Sequence, residues 1–144
     1  MMITVLYGGE GSEREVSLRS GAAVTSAFAE RGREVVAVDL RRKEDFLPLL
    51  HEENVEFAFI ALHGGWGEDG TIQAALEMAG IPFSGSGHAA CALAMDKTAS
   101  KALFRWKGIS VPKGIEVERG SGVRAVLDNP HFPPLLERCG KIVV

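Results

Sequence analysis

Apolar and polar positions switch repeatedly between two periods along this chain. Ile3-Thr4-Val5-Leu6-Tyr7 is a short apolar run that stops at Gly8-Gly9, as a buried parallel strand stops at a tight turn. Val16, Ser20, Ala23, Val24, Ala27 and Phe28 then recur at steps of three and four, and Gly32 stands where a helix ends. Residues 34–38 read as a second strand. Residues 43–51 read as a short helix with Phe46, Leu49 and Leu50 inward, and residues 55–62 as a third strand. Asp69 is placed to cap a helix carrying Ile72, Ala75, Leu76 and Ala79, which stops at Gly80. Residues 81–84 follow as a short fourth strand. Beyond a break near Met95, Asp96 is placed to cap a helix over residues 97–107 that closes at Gly108. A strand (114–117), a helix (121–127) and the proline-rich stretch 130–134 come next, and the last ten residues read as the opening of something unfinished. Strands separated by helices predict an α/β fold: a parallel sheet with helices on both faces.

Composition narrows the class. A chain of 144 residues with 46% hydrophobic and 24% charged residues is that of a globular domain, which excludes disorder and low complexity. The longest apolar run near the middle, residues 57–62, falls well short of the roughly 18 residues of a spanning helix. Met1-Met2-Ile3-Thr4-Val5 lacks the basic start and long apolar stretch of a signal peptide, so the expected compartment is the cytoplasm. Cys91 and Cys139 are too few for a disulfide scaffold and too far apart for a paired metal motif, and both are expected reduced.

Charge divides the chain. Residues 1–95 carry 7 basic and 14 acidic side chains, and residues 96–144 carry 9 and 5. The second stretch could face an anion such as a nucleotide, or the clustering could be chance. No dense basic patch with interleaved aromatics points to nucleic acid.

In an open parallel sheet, ligands bind beyond the carboxyl ends of the strands. Three glycine-rich segments stand there: residues 8–17, 62–70 and 84–87. Glycines let a ligand approach the backbone, and helix N-termini present N–H groups. The dinucleotide fingerprint and the Gly-Lys-Ser/Thr phosphate loop are both absent. Ser12-Glu13-Arg14-Glu15 fits a capping box, which leaves Glu15 either a cap or a ligand contact. His63 is either a hydrogen-bonded structural histidine or a ligand contact. Glu68 and Asp69 suit the next helix N-terminus. Lys97 stands in a helix's first turn, where a cation is unfavourable; this points to an anionic partner or to plain solvation. Trp66 is expected as a lid or packing residue, Leu103, Phe104 and Trp106 as core, and His88 and Cys91 as structural.

The strings GGEGSEREVSLRSG (8–21), ALHGGWGEDGTIQ (61–73) and FSGSGHAACALAMDK (83–97) carry a resemblance, from about residue 2 to about residue 133. The chain resembles the N-terminal half of D-alanine–D-alanine ligases of the ATP-grasp superfamily. The resemblance implies a Rossmann-like pre-ATP-grasp domain over residues 1–95, followed by the incomplete start of an ATP-grasp central domain over residues 96–144. It implies ATP-dependent joining of two D-alanines through an acylphosphate, for peptidoglycan, with ATP and Mg²⁺ as cofactors. By the family pattern Glu15 and His63 are catalytic. Glu15 binds the ammonium of the first D-alanine, His63 orients that substrate, Ser17 and Gly64 support it, and Lys97 reaches the nucleotide phosphates. The implied partners are small molecules, with no nucleic acid or membrane, and a homodimer through the first domain.

Departures from the pattern set further expectations. Family members are about twice this long. Leu135-Leu136-Glu137-Arg138-Cys139 stands where the family has a second phosphate lysine, and the serine-rich loop and metal ligands that follow are missing. Read one base earlier, codons for Gly140-Lys141-Ile142-Val143-Val144 can spell Glu-Asp-Ser-Ser, which resembles that loop. A frameshift shortly before Cys139, with a truncated product inactive alone, is one expectation; a chain cut by design, or chance codon overlap, is the other. The alternatives are a non-catalytic ligand-binding or dimerisation module, or part of a ligase that uses D-lactate or D-serine second.

Overall fold

A computed structural model describes residues 1–52, 54–118 and 120–139; the tail on which the frameshift expectation rests lies outside them. The chain divides into two compact units, Met1–Lys97 and Thr98–Val144.

The first unit is built on three strands, β1 (Ile3–Gly8), β2 (Val35–Leu40) and β3 (Phe57–Ile60). They lie parallel in the order β2-β1-β3, with Ile3 beside both Val35 and Phe57. Side chains alternate across a strand, so β1 feeds two cores. Ile3 and Val5 join Ala61 under helix α1 (Arg14–Glu30), whose Val24 and Phe28 close that face. The Phe28 ring meets Phe59 edge-on at 5.7 Å. Leu6 points the other way, into a cluster with Leu40, Phe46, Ala58, Leu62, Ile72 and Leu76. Phe46 comes from α2 (Phe46–Glu52) and Ile72 and Leu76 from α3 (Thr71–Met78), while Leu40, Ala58 and Leu62 come from β2, β3 and the turn after it. Burying each such aliphatic side chain stabilises the fold by about 1.5–3 kcal/mol. The α/β class with helices on both faces of a parallel sheet is borne out.

The connections place the site. From β1 the chain crosses through α1 to β2, then returns through α2 to β3 on the other side of β1. The loops after β1 and β3 therefore leave adjacent strands in diverging directions, which opens a crevice at their carboxyl ends.

Several local expectations are corrected. The fourth strand shrinks to a single parallel bridge between Phe83 and Ala58. Ala58 N–H donates to Pro82 O and Ser84 N–H to Ala58 O, both at 2.9 Å. Ile60 N–H then meets the Ser84 hydroxyl at 2.9 Å, so a side chain ends the ladder where a backbone would continue it. The capping box does not form. The N-cap of α1 is Glu13, not Ser12, and no side chain caps it. Asp69 does accept from Thr71 N–H at 2.9 Å, although the residue at the α3 N-cap is Gly70. Val16 and Ala23, members of the three- and four-residue repeat, are exposed, because the buried line of α1 runs through Ser17 and Gly21.

Helix α4 (His88–Met95) was not anticipated. Glu77 holds its start, accepting from His88 N–H at 3.1 Å and contacting its ring nitrogen Nδ1. These two bonds keep the Glu77 carboxyl below its ordinary range. Cys91 is a free thiol.

The second unit contains most of α5 (Lys97–Trp106), then α6 (Gly122–Leu127) and α7 (Phe132–Cys139). Residues 114–117 form no strand. Among the described residues nothing pairs with them, and an unpaired strand leaves its backbone groups unmatched. Leu103, Phe104 and Trp106 are not core: they stay 37%, 44% and 75% exposed. Apolar spacing prepares a face for burial, but burial requires a surface laid over it. No described helix is long and apolar enough to cross a membrane.

Candidate functional site

The crevice between the two loops holds a cavity of about 150 Å³, lined by residues 9–13 and 62–67. That is below the roughly 300–1,000 Å³ of drug-sized sites and suits a molecule of a few heavy atoms.

Two buried or half-buried anchors fix its walls. Ser17, fully buried on α1, accepts from Gly8 N–H at 2.8 Å and donates to Ala61 O at 2.7 Å. One hydroxyl thus ties the end of β1 to the segment that leads to His63. Arg14 grips Asp39 at the end of β2 with two bonds of 2.8 and 2.7 Å, and donates to Gly9 O at 3.2 Å. Bidentate pairs of this kind set geometry as well as charge. The guanidinium bond holds the Asp39 carboxyl below its ordinary value, and Asp39 raises Arg14 in turn. Gly8 makes the junction possible. It has φ +98°, and a Cβ there would overlap the Asp39 carboxylate and stand 2.8 Å from Leu40 O.

The chemistry-bearing groups are Glu13, His63 and Glu68, whose donor atoms lie within 4.8 Å of one another. His63 Nε2 is 3.0 Å from the Ser20 hydroxyl on α1, and Nδ1 is 3.7 Å from Glu68 Oε1. Gly64, at φ +67°, lets the Glu13 carboxylate close on the loop: a Cβ there would be 3.3 Å from its carboxyl carbon. Gln73 on α3 supports the far wall by donating to Gly67 O at 2.9 Å. Trp66 lies over Phe46 with ring centroids 6.4 Å apart, which makes it a packing residue.

His63 and Gly64 thus stand where the sequence placed them, in the cavity wall. Glu15 does not. It is exposed and lines no part of the cavity, and Glu13 takes the position beside His63. At 100° per residue, Glu15 lies about 200° around α1 from Ser17, on the opposite face. Glu13 is one helical turn before Ser17, on the line Ser17-Gly21-Val24-Phe28 that faces the sheet. That stripe was the signal that distinguishes the two glutamates. Ser17 is buried with its hydroxyl engaged on both sides, so it positions the loops rather than touching a ligand. Glu68 was read as a dipole partner of α3 but faces His63 instead. Lys97 is exposed in the first turn of α5, outside the cavity wall.

The comparisons agree on one family. The model described as D-ala D-ala ligase N-terminus matches residues 44–86. A D-alanine–D-alanine ligase of Anaeromyxobacter dehalogenans (strain 2CP-C) is 54% identical over 109 residues, which is 76% of this chain and 35% of the relative. That of Desulforudis audaxviator (strain MP104C) is 48% identical over 137 residues, 94% of this chain and 44% of the relative. Among solved structures, the Bacillus anthracis D-alanine–D-alanine ligase complexed with ATP superposes with a TM-score of 0.75 at 38% identity, covering 85% of this chain and 40% of that one. The chain therefore spans less than half the length of these relatives. The α/β fold, the crevice and these likenesses together make the chain similar to the N-terminal part of D-alanine–D-alanine ligases.

Proposed function

We propose that this chain supplies the first-substrate lobe of an ATP-dependent D-alanine–D-alanine ligase. In the whole enzyme, ATP phosphorylates the carboxylate of one D-alanine. The amine of a second attacks the acylphosphate, and the dipeptide for peptidoglycan leaves with ADP and phosphate. The observation that carries this reading is the small glycine-walled cavity with the Glu13 carboxylate and the His63 imidazole on its rim. A carboxylate recognises an ammonium by a charge-assisted bond, and glycine walls admit a ligand to the backbone. Glu13, rather than Glu15, takes the ammonium; His63 and Gly64 orient the amino acid; Ser17 and Arg14 hold the two loops in register.

Lys97 would meet a nucleotide phosphate, where the start of α5 adds its own positive field. Mg²⁺ suits all-oxygen octahedral sets. The three-donor group among the described residues includes an imidazole, so it does not fit, and no Mg²⁺ ligand is assigned to this chain. A cytoplasmic setting, a homodimer through the first unit, and residues 1–95 and 96–144 as the two domain portions belong to the same proposal. Without the remainder of the enzyme, the chain is expected to bind D-alanine but not to ligate it.

An NMR titration of the 144-residue chain with D-alanine tests the assignment. Resonances of His63 and Gly64 should shift, Glu13→Gln should abolish the shift, and Glu15→Gln should leave it. Loss with Glu15→Gln and retention with Glu13→Gln would overturn it.

A further inference from the structure

We propose that Glu13, His63 and Glu68 also form a binding site for a divalent transition metal of the zinc class. Their donor atoms already lie within 4.8 Å of one another. In a four-coordinate zinc site with bonds of about 2.0–2.2 Å, neighbouring ligand atoms stand roughly 3.3 Å apart. The His63 Nδ1 to Glu68 Oε1 separation of 3.7 Å is near that value, and too long for a direct hydrogen bond. Glu13 is exposed, so its side chain can swing to close the wider gaps. Gly64 leaves the approach between Glu13 and the loop open.

The outer shell supplies the second observation. Imidazoles that bind metals donate their other ring N–H to a fixed partner, which selects the tautomer. His63 has that partner in the Ser20 hydroxyl, 3.0 Å from Nε2. In the tautomer that carries its proton on Nε2, donated to Ser20, Nδ1 turns a lone pair toward the Glu68 carboxylate. Two lone pairs facing each other repel, and a cation between them converts that repulsion into two bonds. One imidazole and two carboxylates suit zinc or cobalt better than Mg²⁺ or Ca²⁺. Three protein ligands leave the fourth position to solvent or to a small ligand. The Glu13 carboxylate cannot serve a metal and an ammonium at once, so zinc and D-alanine compete.

Calorimetric titration of the chelator-treated 144-residue chain with ZnCl₂ tests the proposal. One zinc per chain is expected, with affinity reduced at least about tenfold in both Glu68→Gln and His63→Gln, the loss that removal of even an outer-shell partner can cause. Cys91→Ser should bind as the parent does. Cobalt(II) added to the parent protein should give the visible absorption of a four-coordinate nitrogen–oxygen site. This decides the matter without any variant, should a substitution unfold the chain. No uptake of zinc, uptake unchanged in both variants, or octahedral cobalt absorption alone would overturn the proposal. The D-alanine titration of metal-free protein is a separate measurement, so failure of either reading leaves the other standing.

Discussion

Replacing Ser17 by alanine removes one oxygen atom from the interior and should unlock both walls of the cavity. The side chain is fully buried, and its two bonds, 2.8 Å from Gly8 N–H and 2.7 Å to Ala61 O, join residues that are themselves buried. Alanine fits the space, so sterics contribute little. The cost comes from a stranded N–H and a stranded C=O. Each buried group left without a partner costs about 1–3 kcal/mol. Allowing for partial relaxation, the pair should cost about 3 kcal/mol. For a unit of roughly 100 residues that corresponds to a fall in Tm on the order of 15 °C. Urea denaturation read by Trp66 fluorescence in a Trp106→Phe background gives the energy directly. Ser20→Ala, half-exposed on the same helix, serves as the control and should cost less than about 1 kcal/mol. A Ser17→Ala loss below about 1 kcal/mol would show that the two backbone groups find other partners, and would refute the view of Ser17 as the pin between the loops.

Asp39→Asn should lower stability at neutral pH by about 1 kcal/mol or less, since the Arg14–Asp39 pair is only half-buried. The Asp39 carboxyl is depressed from its ordinary value of 3.8 in the folded state, so its contribution is present above that pH and lost as pH falls through the depressed folded value. Parent and variant denaturation midpoints should therefore converge in acid; a gap that persists there contradicts the ion-pair account. Phe46→Ala removes a ring that is 3% exposed and lies against Trp66, and should cost about 3–5 kcal/mol. Trp66 emission should shift to the red in the same variant, and an unchanged spectrum would mean that the indole is held by something else. The selective loss of D-alanine binding in Glu13→Gln and the zinc titration complete the set.

Much of the first unit was legible because its physics is local. The β1 run ending at Gly8-Gly9, the helix closing at Gly32 and the apolar line of Ile72 and Leu76 each follow from periodicity and a glycine stop. His63 and Gly64 were legible because a parallel sheet puts its ligand loops at strand ends. The errors arose where one residue of phase matters. Reading Ser12 as the N-cap started α1 one residue early, whereas the helix starts after Glu13; the family pattern, not the cap, had singled out Glu15.

The sequence by itself determined the strand–helix alternation, the glycine-rich loops and the family resemblance, because periods, turn residues and motif strings are properties of neighbours along the chain. Only the tertiary structure decided that Glu13 and His63 share one cavity with Glu68 close beside them, that Ser17 is a pin and that Arg14 reaches Asp39. Glu13 and His63 are 50 positions apart along the chain, Ser17 and Ala61 44, and Arg14 and Asp39 25, and these pairs meet only through the β2-β1-β3 strand order. It also decided that Phe104 and Trp106 stay exposed, since an apolar stripe states what a helix could bury and not whether a surface is there to cover it.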